Sequence, residues 1–397
     1  MIMARFLAVV AFLVAVAASP LYTEVNAASL SGSDMSTLVF VTNKDSNDVV
    51  AIDTATGMVV SRFDAGPWCA PHMSMLSHDG KKLVVPGTKR NDLMVFDVAS
   101  GEMLAKLDVG MSPEHFDISP DSKLAYIGNF DGGTVSAVDL TTFKEVARIE
   151  GFAEPHGVTF LPDGSKAYIA NFGAHEVGVV DTKTHGLIKR IAVGGDFKVA
   201  ALNPDRYLSE IKGIANVTLT NDGRYGYAAD GDSGTVAVID TGTDSVVTHI
   251  TVGTEPWRAY ASPDSRFMLV PNNGDGTISV ISTDANKVVA TLKGGAGMTG
   301  INFVNGGEKA YAISSEESAV TVYDMGKMKE TKRLKLGYQI MLETASTGPA
   351  GEKVYLACST ANSLYVIDGA TDKVSVIPNV GHSPWAVTML GGYNYCH

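Results

Sequence analysis

Residues 126–139, YIGNFDGGTVSAVD, contain the clearest copy of a sequence repeat that indicates the fold of this chain. It is an apolar run that ends in Asn129, a short loop of Gly and Asp, and a second apolar run that ends in Asp139. Turn-forming residues between two such runs predict a β-hairpin. Two further clear copies stand at 168–181 and 227–240, so the chain repeats one unit of supersecondary structure.

The residues that close the second strand of each hairpin give the period of the repeat. They are 42 or 44 residues apart, apart from one interval of 59 that is longer by about one loop. A sheet of four short strands cannot bury both of its faces alone, so such units stack on their neighbours. When the stack closes radially, it forms a β-propeller. The closing residues are Asp53, Asp97, Asp139, Asp181, Asp240, Ser282, Asp324 and Asp368.

Eight units predict an all-β, eight-bladed β-propeller with four-stranded antiparallel blades, and seven blades is the alternative if one weak unit is not a full sheet. The chain enters at Leu38 with the second strand of a unit and finishes with an orphan inner strand at 382–390. We expect this C-terminal strand to join the N-terminal blade, because closure hides the sheet edges that an open ring would expose.

The first residues read as a targeting segment. Arg5 precedes an apolar run at 6–18, and small residues precede Ala28. This pattern predicts a secretory signal peptide at 1–27, followed by a single propeller domain at 28–397 that is periplasmic or otherwise exported. An uncleaved anchor is the alternative, but the apolar run is shorter than a membrane span normally needs.

Composition excludes several classes of function. The net charge of −12 and the absence of a Lys/Arg cluster argue against a nucleic-acid surface. The sequence has no Gly-rich phosphate loop that opens a helix, and no C-x-x-C-H motif for covalent haem. The three cysteines leave at least one thiol unpaired, and a Cys358–Cys396 disulfide beside the closure point would lock the ring. Whether the two Cα atoms come close enough for that bond stays open.

Candidate functional residues are identified by their position in the repeat, because the loops that lead into the inner strands meet on one face of a propeller. Histidines from several blades can bind a transition metal or a non-covalent haem there, and carboxylates can orient their rings. The alternative is that these are solvated polar groups and packing tryptophans. The candidate ligands are His72, His115, His156 and His382, and the residues expected around them at the channel mouth are Glu114, Glu154, Glu255, Trp257, Arg258 and Trp385.

The long interval contains an insert at 195–212. Asn203 and Pro204 could start one short helix in it. Because the insert connects two blades on the mouth face, we expect a lid or a partner-binding arm with Lys198, Arg206 and Tyr207 as contacts; plain surface decoration is the alternative.

The chain resembles the YVTN-repeat β-propellers, which are related to the cytochrome d1-like propellers. The resemblance lies in VFVTN at 39–43, YIAN at 168–171 and the turn PDG at 162–164, and it extends over nearly all of the mature chain. It implies a propeller fold and a periplasmic redox setting, since such propellers bind haem d1 through an axial histidine or serve as subunits of quinohaemoprotein amine dehydrogenases and hydrazine synthase.

Two hypotheses follow. The first is a haem-free propeller subunit of a periplasmic redox complex in nitrogen or amine oxidation, which holds c-type cytochrome or other redox subunits. The second is a metal- or haem d1-binding protein with a histidine cluster at the mouth, which could itself be catalytic. The lack of a covalent cofactor motif favours the first.

Overall fold

The computed structural model describes residues 29–194 and 212–395, and these form eight antiparallel sheets. The predicted signal peptide, nearly all of the insert and Cys396 lie outside these residues. Two short 3-10 helices span Met35–Thr37 and Asn305–Gly307. The strands are, in chain order, β1 (Leu38–Asn43), β2 (Asp48–Asp53), β3 (Met58–Asp64), β4 (Met75–Leu76), β5 (Lys82–Gly87), β6 (Asp92–Asp97), β7 (Met103–Asp108), β8 (Pro113–Ile118), β9 (Leu124–Asn129), β10 (Thr134–Asp139), β11 (Lys144–Glu150), β12 (Pro155–Phe160), β13 (Lys166–Asn171), β14 (Glu176–Asp181), β15 (Gly186–Ala192), β16 (Val217–Leu219), β17 (Tyr225–Asp230), β18 (Thr235–Asp240), β19 (Ser245–Thr251), β20 (Tyr260–Ala261), β21 (Phe267–Asn272), β22 (Thr277–Ser282), β23 (Lys287–Lys293), β24 (Met298–Val304), β25 (Lys309–Ser314), β26 (Ala319–Asp324), β27 (Lys329–Lys335), β28 (Leu342–Thr347), β29 (Lys353–Cys358), β30 (Ser363–Asp368), β31 (Val374–Pro378), β32 (Pro384–Thr388) and β33 (Tyr393–Tyr395).

The sheets are the eight blades that the repeat predicts. Blade 1 has the order β32-β1-β2-β3 from the channel outwards, and blades 2 to 7 follow in chain order from β4 to β27. Blade 8 contains β28 to β31. A fifth strand, β33, pairs with the distal half of β28 and was not expected from the repeat. Among the described residues, no helix has the length and apolarity needed to cross a bilayer.

Strand β32 closes the ring, as the sequence predicts. It pairs antiparallel with β1, and Val387 lies opposite Val41. Both valines are buried in one apolar cluster with residues of blade 8. A strand from the C-terminal part of the chain is therefore the innermost strand of the N-terminal blade, and it covers the edge of β1.

The repeated aspartate forms the turn between the third and fourth strands. Asp97 Oδ1 accepts the backbone N–H of Ser100 at 2.7 Å and the Ser100 hydroxyl at 2.9 Å. Asp53 and Asp181 make the same bonds to Thr56 and Thr184. A short side-chain acceptor that bonds nearby backbone N–H groups fixes such a turn, which explains why aspartate recurs at this position.

The repeated tyrosine of the second strand ties one blade to the next. The ring of Tyr227 is fully buried, and its hydroxyl bonds Asn286 Oδ1 of the following blade at 2.7 Å. Tyr311 bonds Asp372 at 2.6 Å in the same way. A buried phenol needs a partner for its hydroxyl, so these bonds join the blades at the face opposite the mouth.

Replacing Val387 with Asp tests the closure. Val387 is 4% exposed, so the variant buries an unpaired carboxylate between blades 1 and 8. We expect it to lower the free energy of unfolding by about 3 kcal/mol or more, measured by thermal unfolding under circular dichroism. The control Val376→Asp, on an outer strand where Val376 is 47% exposed, should change little. Equal stability of the two variants would contradict the closure.

Replacing Asp97 with Ala tests the turn through its pH dependence. The backbone N–H and hydroxyl of Ser100 lower the pKa of Asp97 below its usual value. A lowered folded-state pKa contributes stability above the unfolded pKa of about 3.9, and this contribution is lost as the pH falls through the folded value. The variant should therefore melt about 1–3 °C below the wild type at pH 7, with a smaller gap near pH 3. The exposed Asp284→Ala is the control, and a gap independent of pH would contradict the prediction.

Candidate functional site

The mouth of the channel is built by the first residues of the inner strands. In blade 3, Pro113 pairs with Asn129 and Phe116 pairs with Ile127, so one extra residue forms a β-bulge. Blades 4 and 8 carry the same irregularity, between Pro155 and Val158 and between Leu342 and Ala345. A bulge redirects side chains and is common beside functional sites. In these inner strands, the bulge places the side chains of both the second and the third residue at the mouth of the channel.

The bulge explains the placement of His115. By the repeat, His115 falls one position after the mouth residue Glu114. In the structure, Glu114 and His115 both lie in the bulge and both approach His72 of the preceding blade. Ligand atoms of His72, Glu114 and His115 lie within 4.8 Å of one another. The three residues are called the His–Glu cluster below.

His156 stacks on the cluster from the next blade. Its ring centroid lies 3.7 Å from that of His115, at an interplanar angle of 26°, and the centroids of His72 and His115 are 4.9 Å apart. The three histidines are only 5–9% exposed. Two cationic rings at this separation would repel, so the stack favours neutral imidazoles, the form that binds metal ions.

The tautomer of His156 is set by the backbone of blade 5. Its Nδ1 lies 2.8 Å from the carbonyl oxygen of Ala215, which can only accept, so Nδ1 carries the proton and Nε2 carries the lone pair. Gly157 permits this approach, because a Cβ on it would lie 2.6 Å from the same carbonyl. A histidine fixed through one nitrogen is oriented to use the other.

Aromatic rings surround the histidines. Trp385 lies 5.7 Å from His72, and Trp257 lies 6.1 Å from His156. Phe130 and Phe172 also contact His156, at 6.2 and 5.7 Å. The mouth is therefore a largely apolar ring around a few titratable groups.

Charges near the cluster shift its acid–base behaviour. Burial raises the pKa of Glu114 to about 7, although the ammonium of Lys44 opposes this shift. Burial also raises the pKa of Glu343, against a hydrogen bond from Ser359 at 2.5 Å and the same lysine. Lys44 Nζ lies 3.6 Å from the ring centroid of Trp385. The ammonium of Lys44 thus lowers the pKa values of two carboxyl groups at the mouth, the half-buried Glu114 and the buried Glu343.

The structure brings together only part of the predicted site. His72, His115, His156, Glu114, Trp257 and Trp385 meet at the mouth. His382 instead is exposed in the connection from blade 8 to blade 1, with Nδ1 3.5 Å from Asn362 Nδ2. Glu255 pairs with Lys212 at 2.7 Å, and Glu154 lies beside Gly173. Neither carboxylate shows a contact with a histidine ring among the described residues.

Two other predictions concern residues outside the described ranges. Lys198, Arg206 and Tyr207 belong to the insert, and Cys396 follows the last described residue. Cys358 is buried in blade 8. The partner contacts and the Cys358–Cys396 disulfide stay predictions.

Sequence reasoning missed four mouth residues that share one position. Each follows the last residue of a second strand: Lys44 after β1, Phe130 after β9, Phe172 after β13 and Ser359 after β29. In the sequence, these mouth residues can be found at the position that directly follows the Asn or Cys at the end of the second strand. Glu343 was also missed, because Leu342 stands where other blades have proline.

No protein-family model matches the chain, and no curated protein gives a significant match to its sequence. Solved structures do resemble it. Dihydro-heme d1 dehydrogenase NirN in complex with DHE has a TM-score of 0.74 and 17% identity over 90% of this chain and 76% of that chain. Hydrazine synthase of Kuenenia stuttgartiensis has a TM-score of 0.57 and 21% identity, over 77% of this chain and 97% of its own.

A third similar structure is a functionally unknown protein from Desulfotomaculum acetoxidans DSM 771, with a TM-score of 0.57 and 14% identity over 89% of this chain and 98% of that one. At these identities the likenesses show the fold alone. They agree with the propeller implied by the sequence resemblance, whereas membership of the YVTN-repeat family stays a prediction.

Proposed function

We propose that this chain is an exported propeller that binds one first-row transition-metal ion at the channel mouth and serves a redox system. The observation that carries the proposal is the His–Glu cluster, in which two imidazoles and a carboxylate from adjacent blades come within 4.8 Å. Export rests on the predicted signal peptide, and the redox setting rests on the resemblance to redox propellers.

The donor set fits a metal ion. Imidazole suits zinc, copper, iron and nickel, and two imidazoles with one carboxylate leave positions open for an exogenous ligand. Glu114 would bind as the carboxylate, and the ion would replace the proton that burial favours on it. When bound, the ion supplies Lewis acidity or electron transfer. His156 holds the His115 ring by stacking.

A haem macrocycle fits the described residues less well than an ion. The imidazoles of His72, His115 and His156 pack against each other, and their centroids leave no gap for a tetrapyrrole plane between them. The channel cavity below them has a volume of about 250 Å³. This is below the usual 300–1,000 Å³ of pockets for organic ligands. We therefore place an ion, and no macrocycle, at this cluster.

One observation favours scaffolding as a second role. Trp68 and Tyr338 are 79% and 86% exposed on two of the mouth-face connections. Met341, on the same connection as Tyr338, and Met111, on a third connection, are also exposed. Exposed aromatic and methionine side chains are typical of protein interfaces. A cytochrome-bearing redox subunit that docks on this face would lie next to the His–Glu cluster, so the two roles are compatible.

Removing one ligand tests the metal site. We expect His72→Ala, His115→Ala and Glu114→Gln each to weaken Zn²⁺ binding at least about tenfold, because each removes a direct ligand. Zn²⁺ affinity is measured by calorimetry, and stoichiometry by elemental analysis of the dialysed mature protein. The control is His249→Ala on an outer strand, where His249 Nε2 lies 3.0 Å from Val193 O. Wild-type affinity in all three cluster variants would contradict the proposal.

Replacing the exposed aromatic residues tests the scaffolding role. Trp68→Ser with Tyr338→Ser should reduce the c-type cytochrome that copurifies with the chain from its native host, measured by haem staining and visible spectra. Metal content should not change. The matched control is Val289→Ser, which alters an exposed apolar residue on an outer strand. Undiminished cytochrome in the double variant would contradict this second role.

A further inference from the structure

Exposed lysines lie together on the perimeter of blades 6 and 7. They belong to β23 and β27, the outermost strands of these blades, which contact each other. The ion pairs described in this part of the ring involve other cations, namely Lys309, Lys327 and Arg333. The exposed lysines, called the lateral lysine patch below, are Lys287, Lys293, Lys329, Lys332 and Lys335.

The lateral lysine patch lies opposite an acidic side of the ring. The outer strands of blades 1, 2 and 3 end in the exposed residues Asp64, Asp108 and Glu150. At the same position, β23 ends in Lys293 and β27 ends in Lys335. In a ring of eight, blades 6 and 7 stand opposite blades 2 and 3. The exposed ends of the outer strands therefore separate positive from negative charge across the propeller.

Nearby carboxylates do not cancel the charge of the patch. On β23, β27 and the residues that lead into them from the preceding strand, the carboxylates are Asp284, Asp324 and Glu330. Asp324 pairs with Lys327 at 2.6 Å, and Glu330 is half-buried. Asp372 of blade 8 is close enough for Lys332 to lower its pKa, but it pairs with Lys309 at 2.7 Å. This part of the surface is therefore positive, although the whole chain has a net charge of −12.

The composition of the patch favours a phospholipid surface over a protein partner. Lysine is depleted in protein interfaces, whereas aromatic residues, methionine and arginine are enriched there. Besides the lysines, β23 and β27 expose Val289, Thr291 and Thr331. The guanidinium of Arg333 is engaged by Glu317 and by Gly294 O at 2.7 Å. A group of lysines without exposed aromatic residues is typical of surfaces that bind anionic headgroups by charge.

We propose that the lateral lysine patch docks the propeller on a bilayer surface that contains anionic phospholipids. The ring then stands on its edge, and the acidic ends of the outer strands in blades 2 and 3 point away from the headgroups. Strands in a sheet lie about 4.8 Å apart, so the outer strands of opposite blades are roughly 30 Å or more apart. This separation exceeds the Debye length of about 10 Å in 0.1 M salt, so these acidic residues do not oppose docking.

Docking through the perimeter leaves the mouth of the channel open. The His–Glu cluster and the exposed mouth-face residues then stay accessible to a metal ion and to a redox subunit. The inference therefore goes beyond the proposed function and does not depend on the metal site.

Vesicle flotation of the mature protein tests the inference. The protein should float with vesicles of phosphatidylglycerol and phosphatidylcholine in equal parts, and it should not float with vesicles of phosphatidylcholine alone. Binding should disappear in 1 M salt, where the Debye length is about 3 Å. The triple variant Lys329→Gln/Lys332→Gln/Lys335→Gln should bind the anionic vesicles at least about tenfold more weakly, because each lysine near the surface contributes to binding.

The matched control is Lys81→Gln/Lys123→Gln/Lys183→Gln, which removes the same charge from exposed turns of blades 2, 3 and 4. This control should bind anionic vesicles like the wild type, and both triple variants should keep the thermal unfolding temperature and the Zn²⁺ affinity of the wild type. Equal vesicle binding by the two triple variants, or equal binding of the wild type to both kinds of vesicle, would overturn the inference. Binding to polyglutamate without binding to anionic vesicles would also overturn it, in favour of an acidic protein partner.

Discussion

Backbone pairing between β1 and β32 closes the ring of blades and thereby fixes the channel and its mouth. Each blade is a single sheet with two apolar faces. It is stable only when a neighbouring blade covers each of these faces. Pairing of Val41 with Val387 holds the C-terminal strand in blade 1, and both valines pack on residues of blade 8. Only in a closed ring do loops from blades 1, 2, 3, 4, 6 and 8 converge on one axis, and the mouth residues meet there.

The ring can be predicted from the sequence because the repeated residues have structural roles within one blade or between adjacent blades. Aspartates such as Asp97 recur since they fix turns, and tyrosines such as Tyr227 recur since they bond the next blade. The same repeat predicts that His72 and His156 face the mouth. It does not predict how His115 reaches them, because a β-bulge adds a residue without changing the spacing of the turns. His382 lies two residues before the proline of its loop, whereas His72 and His156 directly follow theirs, and it is exposed outside the cluster.

Contacts across the ring could not be read from the sequence. Lys44 and Glu343 belong to blades 1 and 8 but act on the same mouth as Glu114 of blade 3, and their proximity depends on closure. The Ala215 carbonyl that sets the tautomer of His156 comes from the next blade. The pairing of β33 with β28 is likewise a tertiary contact between chain segments that share no repeat pattern.

The His–Glu cluster and the cavity below it form one continuous feature. The bulge of blade 3 supplies Glu114 and His115, blade 2 supplies His72, and His115 also lines the cavity.

X-ray absorption at the zinc K-edge of the stoichiometrically loaded protein tests the metal site at the His–Glu cluster. We expect two imidazole ligands and one carboxylate oxygen at about 2.0–2.2 Å, with the imidazole contribution reduced by one ring in His115→Ala. Sulfur ligands at about 2.3 Å, or a spectrum without imidazole scattering, would contradict it.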